Sequence, residues 1–191
     1  MFKFSENKEL FEPNISKQLS KISNLIKKKY NSVSYCVWSS NCLNEFSRHQ
    51  ATNEIAFVEV EKELVNSIFN LLIDNEFKNV FIEPDKFVTE TYVSENQTSI
   101  IVKSLITKSP TQFVNKIVVP KLEKILVDLF SDNKYLIAYK GYEQKTIFES
   151  AFDKYHLNLS ILINYSRRRK KAKLITDFLI REINIDEELL K

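Results

Sequence analysis

A single glycine, Gly141, occurs in the 191 residues of this chain, where average usage predicts roughly a dozen. Glycine lets a backbone pass close to a phosphate or adopt left-handed conformations without a steric cost. Its near absence therefore removes whole classes of chemistry. A dinucleotide fingerprint, a phosphate-cradling P-loop and a G-x-S-x-G nucleophile elbow each need several glycines within one short segment. None of them fits here, so function has to rest on side chains presented by regular elements.

The chain is long enough for one domain, or one domain with a small appendage, and for a core that needs no disulfide or metal staple. Hydrophobic residues at 43% and charged residues at 28% fit a soluble globular protein and are too apolar for a disordered one. Apolar runs such as residues 35–38 and 135–139 fall far short of a membrane span. The opening Met1-Phe2-Lys3-Phe4-Ser5-Glu6 lacks an apolar signal core. A soluble, cytoplasmic protein with reduced thiols is expected, with no membrane partner and no cofactor.

Periodicity divides the chain into three stretches: a lead-in and helix over 1–30, an α/β core over 31–119, and a helical part over 120–191 that belongs to the same domain. Ile15, Leu19, Ile22 and Ile26 fall at helical spacing, with Asn14 as the expected cap. Residues 35–38, 55–61, 80–82 and 99–105 read as strands, and 62–75 as the helix between the second and third. From Pro120, placed in the first turn of a helix, the chain reads as helical, with Leu122, Ile125, Leu126 and Leu129 as a core stripe. Glu123, Lys124 and Asp128 on the other side of that helix read as surface pairs or a functional face. Gly141 breaks the chain before a helix near 142–155, and Asn158 caps the next. The fold class is α/β (or α+β): a mixed sheet of about four or more strands flanked by helices, with an all-helical carboxyl third.

Charge is unevenly distributed. Residues 1–30 carry seven lysines against three glutamates; residues 31–100 carry four bases against eleven acids; residues 101–191 carry seventeen bases against eleven acids. The densest run is Arg167-Arg168-Arg169-Lys170-Lys171-Ala172-Lys173. Basic residues suit a helix carboxyl end with no ligand at all, and they also suit phosphate contact. Arg167, Arg168, Arg169, Lys170 and Lys171 are the first candidates for nucleic-acid or partner binding, and Lys27, Lys28 and Lys29 the second.

Catalytic constellations are sparse. Cys36, Cys42 and His49 are too few and too widely spaced for a zinc knuckle. His49 and His156 sit in no nucleophile motif. Glu59 and Glu61 alternate on a strand and offer the sole metal-site alternative, a restriction-like nuclease. The order Glu59-Val60-Glu61-Lys62 departs from the acid followed by Glu-x-Lys that such a site requires. A non-enzyme without a metal is the expectation, with those two acids facing solvent or pairing with lysines.

Several segments read together carry a family resemblance. They include Val37-Trp38-Ser39-Ser40, Phe57-Val58-Glu59-Val60-Glu61-Lys62-Glu63, Val80-Phe81-Ile82-Glu83-Pro84 and Pro120-Lys121-Leu122-Glu123-Lys124-Ile125-Leu126-Val127-Asp128, then Tyr139-Lys140-Gly141-Tyr142-Glu143 and Tyr165-Ser166-Arg167-Arg168. Their order resembles the effector domain of the AbiEi-like family, the antitoxins and transcriptional regulators of bacterial type IV abortive-infection systems. The resemblance implies a non-enzymatic antitoxin-like regulator in phage defence. Its partner would be a nucleotidyltransferase-like toxin of the same operon, countered without a stable complex, with DNA or RNA as a further partner. Many members carry an amino-terminal winged helix that binds the promoter. One helix before the sheet is too little for that module, which puts promoter binding by this chain alone in doubt.

Overall fold

The computed structural model describes residues 8–132 and 134–190; the first seven residues of the lead-in, Lys3 among them, lie outside the described residues. A mixed four-stranded sheet has the order β1-β2-β4-β3, from β1 (Tyr35–Ser39), β2 (Glu54–Val60), β3 (Val80–Ile82) and β4 (Thr98–Ser104). β1 runs antiparallel to β2, whereas β2, β4 and β3 are parallel. Residues of β1, β2 and β4 are buried almost throughout, as expected of a sheet covered on both faces.

The two faces sort by residue parity. Ala56, Val58 and Val60 of β2 pack with Leu19, Ile22 and Ile26 of α1 (Lys17–Lys29) and with Ile68 and Leu72 of α2 (Val65–Asp74). Ile55 and Phe57 face the other way, into a larger core with the carboxyl-terminal helices. These are α4 (Leu122–Ser131), α5 (Tyr142–Lys154), α6 (Leu159–Arg168) and α7 (Ala172–Arg181). Phe130, Phe148 and Phe178 meet edge to face with ring centroids 5.1–5.6 Å apart, a favoured aromatic geometry that ties α4, α5 and α7 together.

Several expectations shift in detail. Ser16, not Asn14, caps α1, its hydroxyl accepting from the Leu19 N–H at 3.2 Å. Asn158 caps α6 as expected, its side chain accepting from the Ile161 N–H at 3.0 Å. A short helix α3 (Lys86–Val88), capped by Asp85 and continued by a π-turn over Thr89–Val93, fills a stretch with no clear period. Pro120 does not open a helix. It ends β6 (Ile117–Pro120), which pairs with β5 (Thr111–Val114) in a hairpin, and Lys121 is the residue before α4. The two-residue turn Asn115-Lys116 has φ of 50° and 65°, the positive pair that a type I′ hairpin requires.

Left-handed bends usually fall to glycine, and here they do not. Gly141 has φ of 65° just before α5, but eight other described residues also have positive φ: Glu76, Asn79, Glu83, Lys108, Asn115, Lys116, Lys170 and Asn184. The basic run straddles one of them. Arg167 and Arg168 close α6, Lys170 turns at φ of 55°, and α7 begins at Ala172.

Candidate nucleic-acid interface

Behind the sheet face that meets α4 lies a charged interior. Parity puts Glu59 on the same side of β2 as Phe57, and Lys103 on the same side of β4 as Ile101, so both enter the helical side. Three carboxylates, Glu59, Asp128 and Asp132, meet three cations, Lys103, Lys124 and Arg169. Lys124 Nζ lies 2.6 Å from Glu59 Oε1 and 2.5 Å from Asp128 Oδ2. Glu59 Oε1 also accepts from the Trp38 indole N–H at 2.8 Å. Lys103 donates to Asp132, and Arg169 Nη2 donates to Asp132 Oδ1 at 2.8 Å. Tyr165 donates its hydroxyl proton to Asp128 Oδ1 at 3.0 Å.

Charges buried this deeply persist only when paired. Burial is the largest single influence on the Glu59 and Asp132 carboxyls and pushes both upward, but the cations together outweigh it: Lys103 with Lys124 at Glu59, and Lys103 with Arg169 at Asp132. Both carboxyls end below their ordinary range. Lys124 is opposed by burial and raised well above an ordinary lysine by Asp128 and Glu59. The group is a balanced internal clamp, and its effect is to fix the end of α6 against α4.

That clamp corrects three expectations. Lys124 and Asp128 are not surface pairs: both are fully buried. Glu123 is buried too, accepting from the Asn158 N–H at 2.8 Å where the chain enters α6. Arg169 is not available to a ligand, because its guanidinium is turned inward onto Asp128 and Asp132.

On the outer side of the same helix end is an open cleft of about 790 Å³. It is lined by Arg167 and Arg168 of α6 together with Lys108, Ser109 and Thr111 from the β4–β5 connection and the start of β5. Lys121 also lines it, and its backbone N–H donates to the Pro110 carbonyl at 3.0 Å. Four cations therefore line the cleft, with no carboxylate among the described residues of its walls. Arg167 Nη1 donates to Asn164 Oδ1 at 2.8 Å, which holds one guanidinium without neutralising it. Clustered cations with hydroxyl and amide groups between them match a phosphate backbone.

The sequence candidates divide accordingly. Arg167 and Arg168 line the cleft; Lys170 and Lys171 lie in the turn beyond it; Lys27, Lys28 and Lys29 sit on the last turn of α1, on the opposite face of the sheet. Lys27 donates to the Lys116 carbonyl at the hairpin tip. Sequence reasoning missed Lys108 and Lys121, which are isolated in the chain and join the arginines only through folding. Glu59 and Glu61 do not share a site. Glu61 is exposed and accepts from the Ser34 N–H at 2.9 Å, which draws its carboxyl below the ordinary range. Among the described residues, no group of three or more His, Cys, Asp or Glu side chains is arranged to hold a metal ion. Cys36 is buried and Cys42 half-buried, both as free thiols, while His49 lies at the surface 3.9 Å from Glu143.

Comparison by sequence gives one result. Residues 1–185 match the family of unknown function DUF6577. The chain belongs to that family. No curated protein and no solved structure matches it. Among the described residues no helix of this family member is long and apolar enough to cross a membrane.

Proposed function

We propose that the chain is a non-enzymatic regulator that binds nucleic acid through the cleft between α6 and the β4–β5 connection. One observation carries this reading: Lys108, Lys121, Arg167 and Arg168 converge on one concavity with no acid among its described wall residues. The buried clamp supports it, since Arg169 anchors the helix end that presents Arg167 and Arg168. A surface already rigid before binding loses little freedom on association. The resemblance to AbiEi-like antitoxins supplies the setting: a cytoplasmic abortive-infection system, with a nucleotidyltransferase-like toxin countered at the level of regulation. The nuclease alternative is the weaker reading, since Glu59 is buried with its Oε1 on Lys124 and Trp38 while Glu61 is exposed on Ser34.

Two experiments test the proposal. Titration of labelled DNA and RNA at low and moderate salt is expected to give binding that weakens steeply with salt. Arg167→Ala combined with Arg168→Ala should weaken it and lower the salt slope by about 1.4 on a single strand or about 1.8 on a duplex, since each neutralised phosphate contributes about 0.7 or about 0.9. Absence of salt-dependent binding to any nucleic acid would refute the cleft assignment. The regulatory setting is tested by growth rescue, inducing the neighbouring reading frame of the native operon with and without this chain. A toxic neighbour that the chain fails to relieve removes the antitoxin part of the reading.

A further inference from the structure

A second concavity adjoins the basic cleft and differs from it in character. It holds about 480 Å³ and shares Lys108, Ser109 and Thr111 with the cleft. Its remaining walls are largely apolar, from Leu105, Ile106 and Val118, and Phe113 stands beside them with 76% of its surface exposed. A phenyl ring this exposed on a short hairpin strand loses the benefit of burial. Thr111 and Phe113 are two apart on β5 and so point to the same face; the strand leads directly from the cations to the ring. Among the described residues around this second space, Lys108 is the one cation, and Glu61 adds a carboxylate. Phosphates are therefore disfavoured there, and a flat uncharged group is favoured.

Resting on the nucleic-acid reading of the cleft, we infer that the ligand is single-stranded: its phosphates track Arg167, Arg168, Lys121 and Lys108, and an unpaired base enters the adjoining groove to stack on Phe113. A duplex offers base edges in its grooves but keeps its base faces stacked. An unpaired nucleotide lays a π-face on a protruding ring without the unstacking cost that a duplex must meet, and such stacking tolerates any base.

The test uses the full chain with a labelled pyrimidine oligonucleotide, as DNA and as RNA, beside a duplex of equal length. The single strand is expected to bind more tightly than the duplex. Phe113→Ala should weaken single-strand binding by about 5- to 140-fold and leave duplex binding unchanged, while Phe113→Tyr restores it. A fluorescent adenine analogue in the strand should be quenched by the wild-type chain and not by Phe113→Ala. If both forms of nucleic acid bind with salt dependence but Phe113→Ala changes nothing, the single-strand inference is overturned and the cleft reading stands. If Phe113→Ala instead abolishes self-association in sedimentation without changing oligonucleotide affinity, the ring is a contact between copies and the inference is likewise overturned. If no nucleic acid binds at low salt, the cleft reading itself falls.

Discussion

Lys124 and Arg169 show how much a residue's meaning depends on what surrounds it. Lys124 is wholly buried between Glu59 and Asp128, so Lys124→Met removes the nearest cation from two buried carboxylates. A loss of about 3–5 kcal/mol is expected, read as a drop in the urea midpoint. Arg168 and Arg169 are neighbours with opposite commitments, one lining the cleft and the other paired inside. Arg169→Ala should destabilise the fold by about 2–4 kcal/mol, whereas Arg168→Ala should change stability by less than about 0.5 kcal/mol and weaken nucleic-acid binding. Equal stability of the two variants would contradict the inward assignment of Arg169. Nothing in the run Arg167-Arg168-Arg169 distinguishes the three positions. Only the turn that ends α6 decides which guanidinium meets Asp132.

At the scale of elements, the hairpin turn gives the clearest expectation. Asn115 and Lys116 hold two left-handed positions in succession, and a β-carbon there carries a strain of about 1–2 kcal/mol. Lys116→Gly relieves it but adds freedom to the unfolded chain, so a net gain of about 0.5–1 kcal/mol is expected in thermal or denaturant unfolding. A neutral or harmful substitution would argue against the type I′ geometry. This hairpin was also the largest element not legible in the sequence. An Asn-Gly pair announces such a turn; Asn-Lys does not, and Pro120 following β-branched residues imitates a helix start. The four strands of the main sheet were legible because they are nearly continuous apolar runs, and Leu122, Ile125, Leu126 and Leu129 because their spacing is helical. Half of the cleft was legible for a similar reason, as adjacent arginines. Lys108 and Lys121 were not, since lone cations thirteen residues apart carry no pattern until β5 and β6 fold back between them.

For the whole molecule, two of the clamp's three carboxyls give stability that acid removes, while burial pushes the third, Asp128, above its ordinary range and opposes them in part. Asp132 and Glu59 titrate lower in the folded chain than their ordinary values of about 3.9 and 4.3. The unfolded chain thus binds protons first as pH falls. Their stabilisation is complete above about pH 5 and is lost as pH drops through the folded values. Their contribution to the urea midpoint should stay level from neutrality to about pH 5 and decline below it. Asp132→Asn should lower the plateau and make the decline shallower; an unchanged acid slope would show that Asp132 does not contribute. The left-handed bends held by Asn, Lys and Glu have a consequence of another kind. Glycine codons begin with two guanines, whereas those for asparagine and lysine begin with two adenines. A gene drifting toward adenine and thymine fills its bends from the second group, and the accumulated cost appears as strain scattered over loops. Sequencing the native gene is expected to show such a bias, and recoding several of these bends to glycine should give the same fold greater resistance to heat.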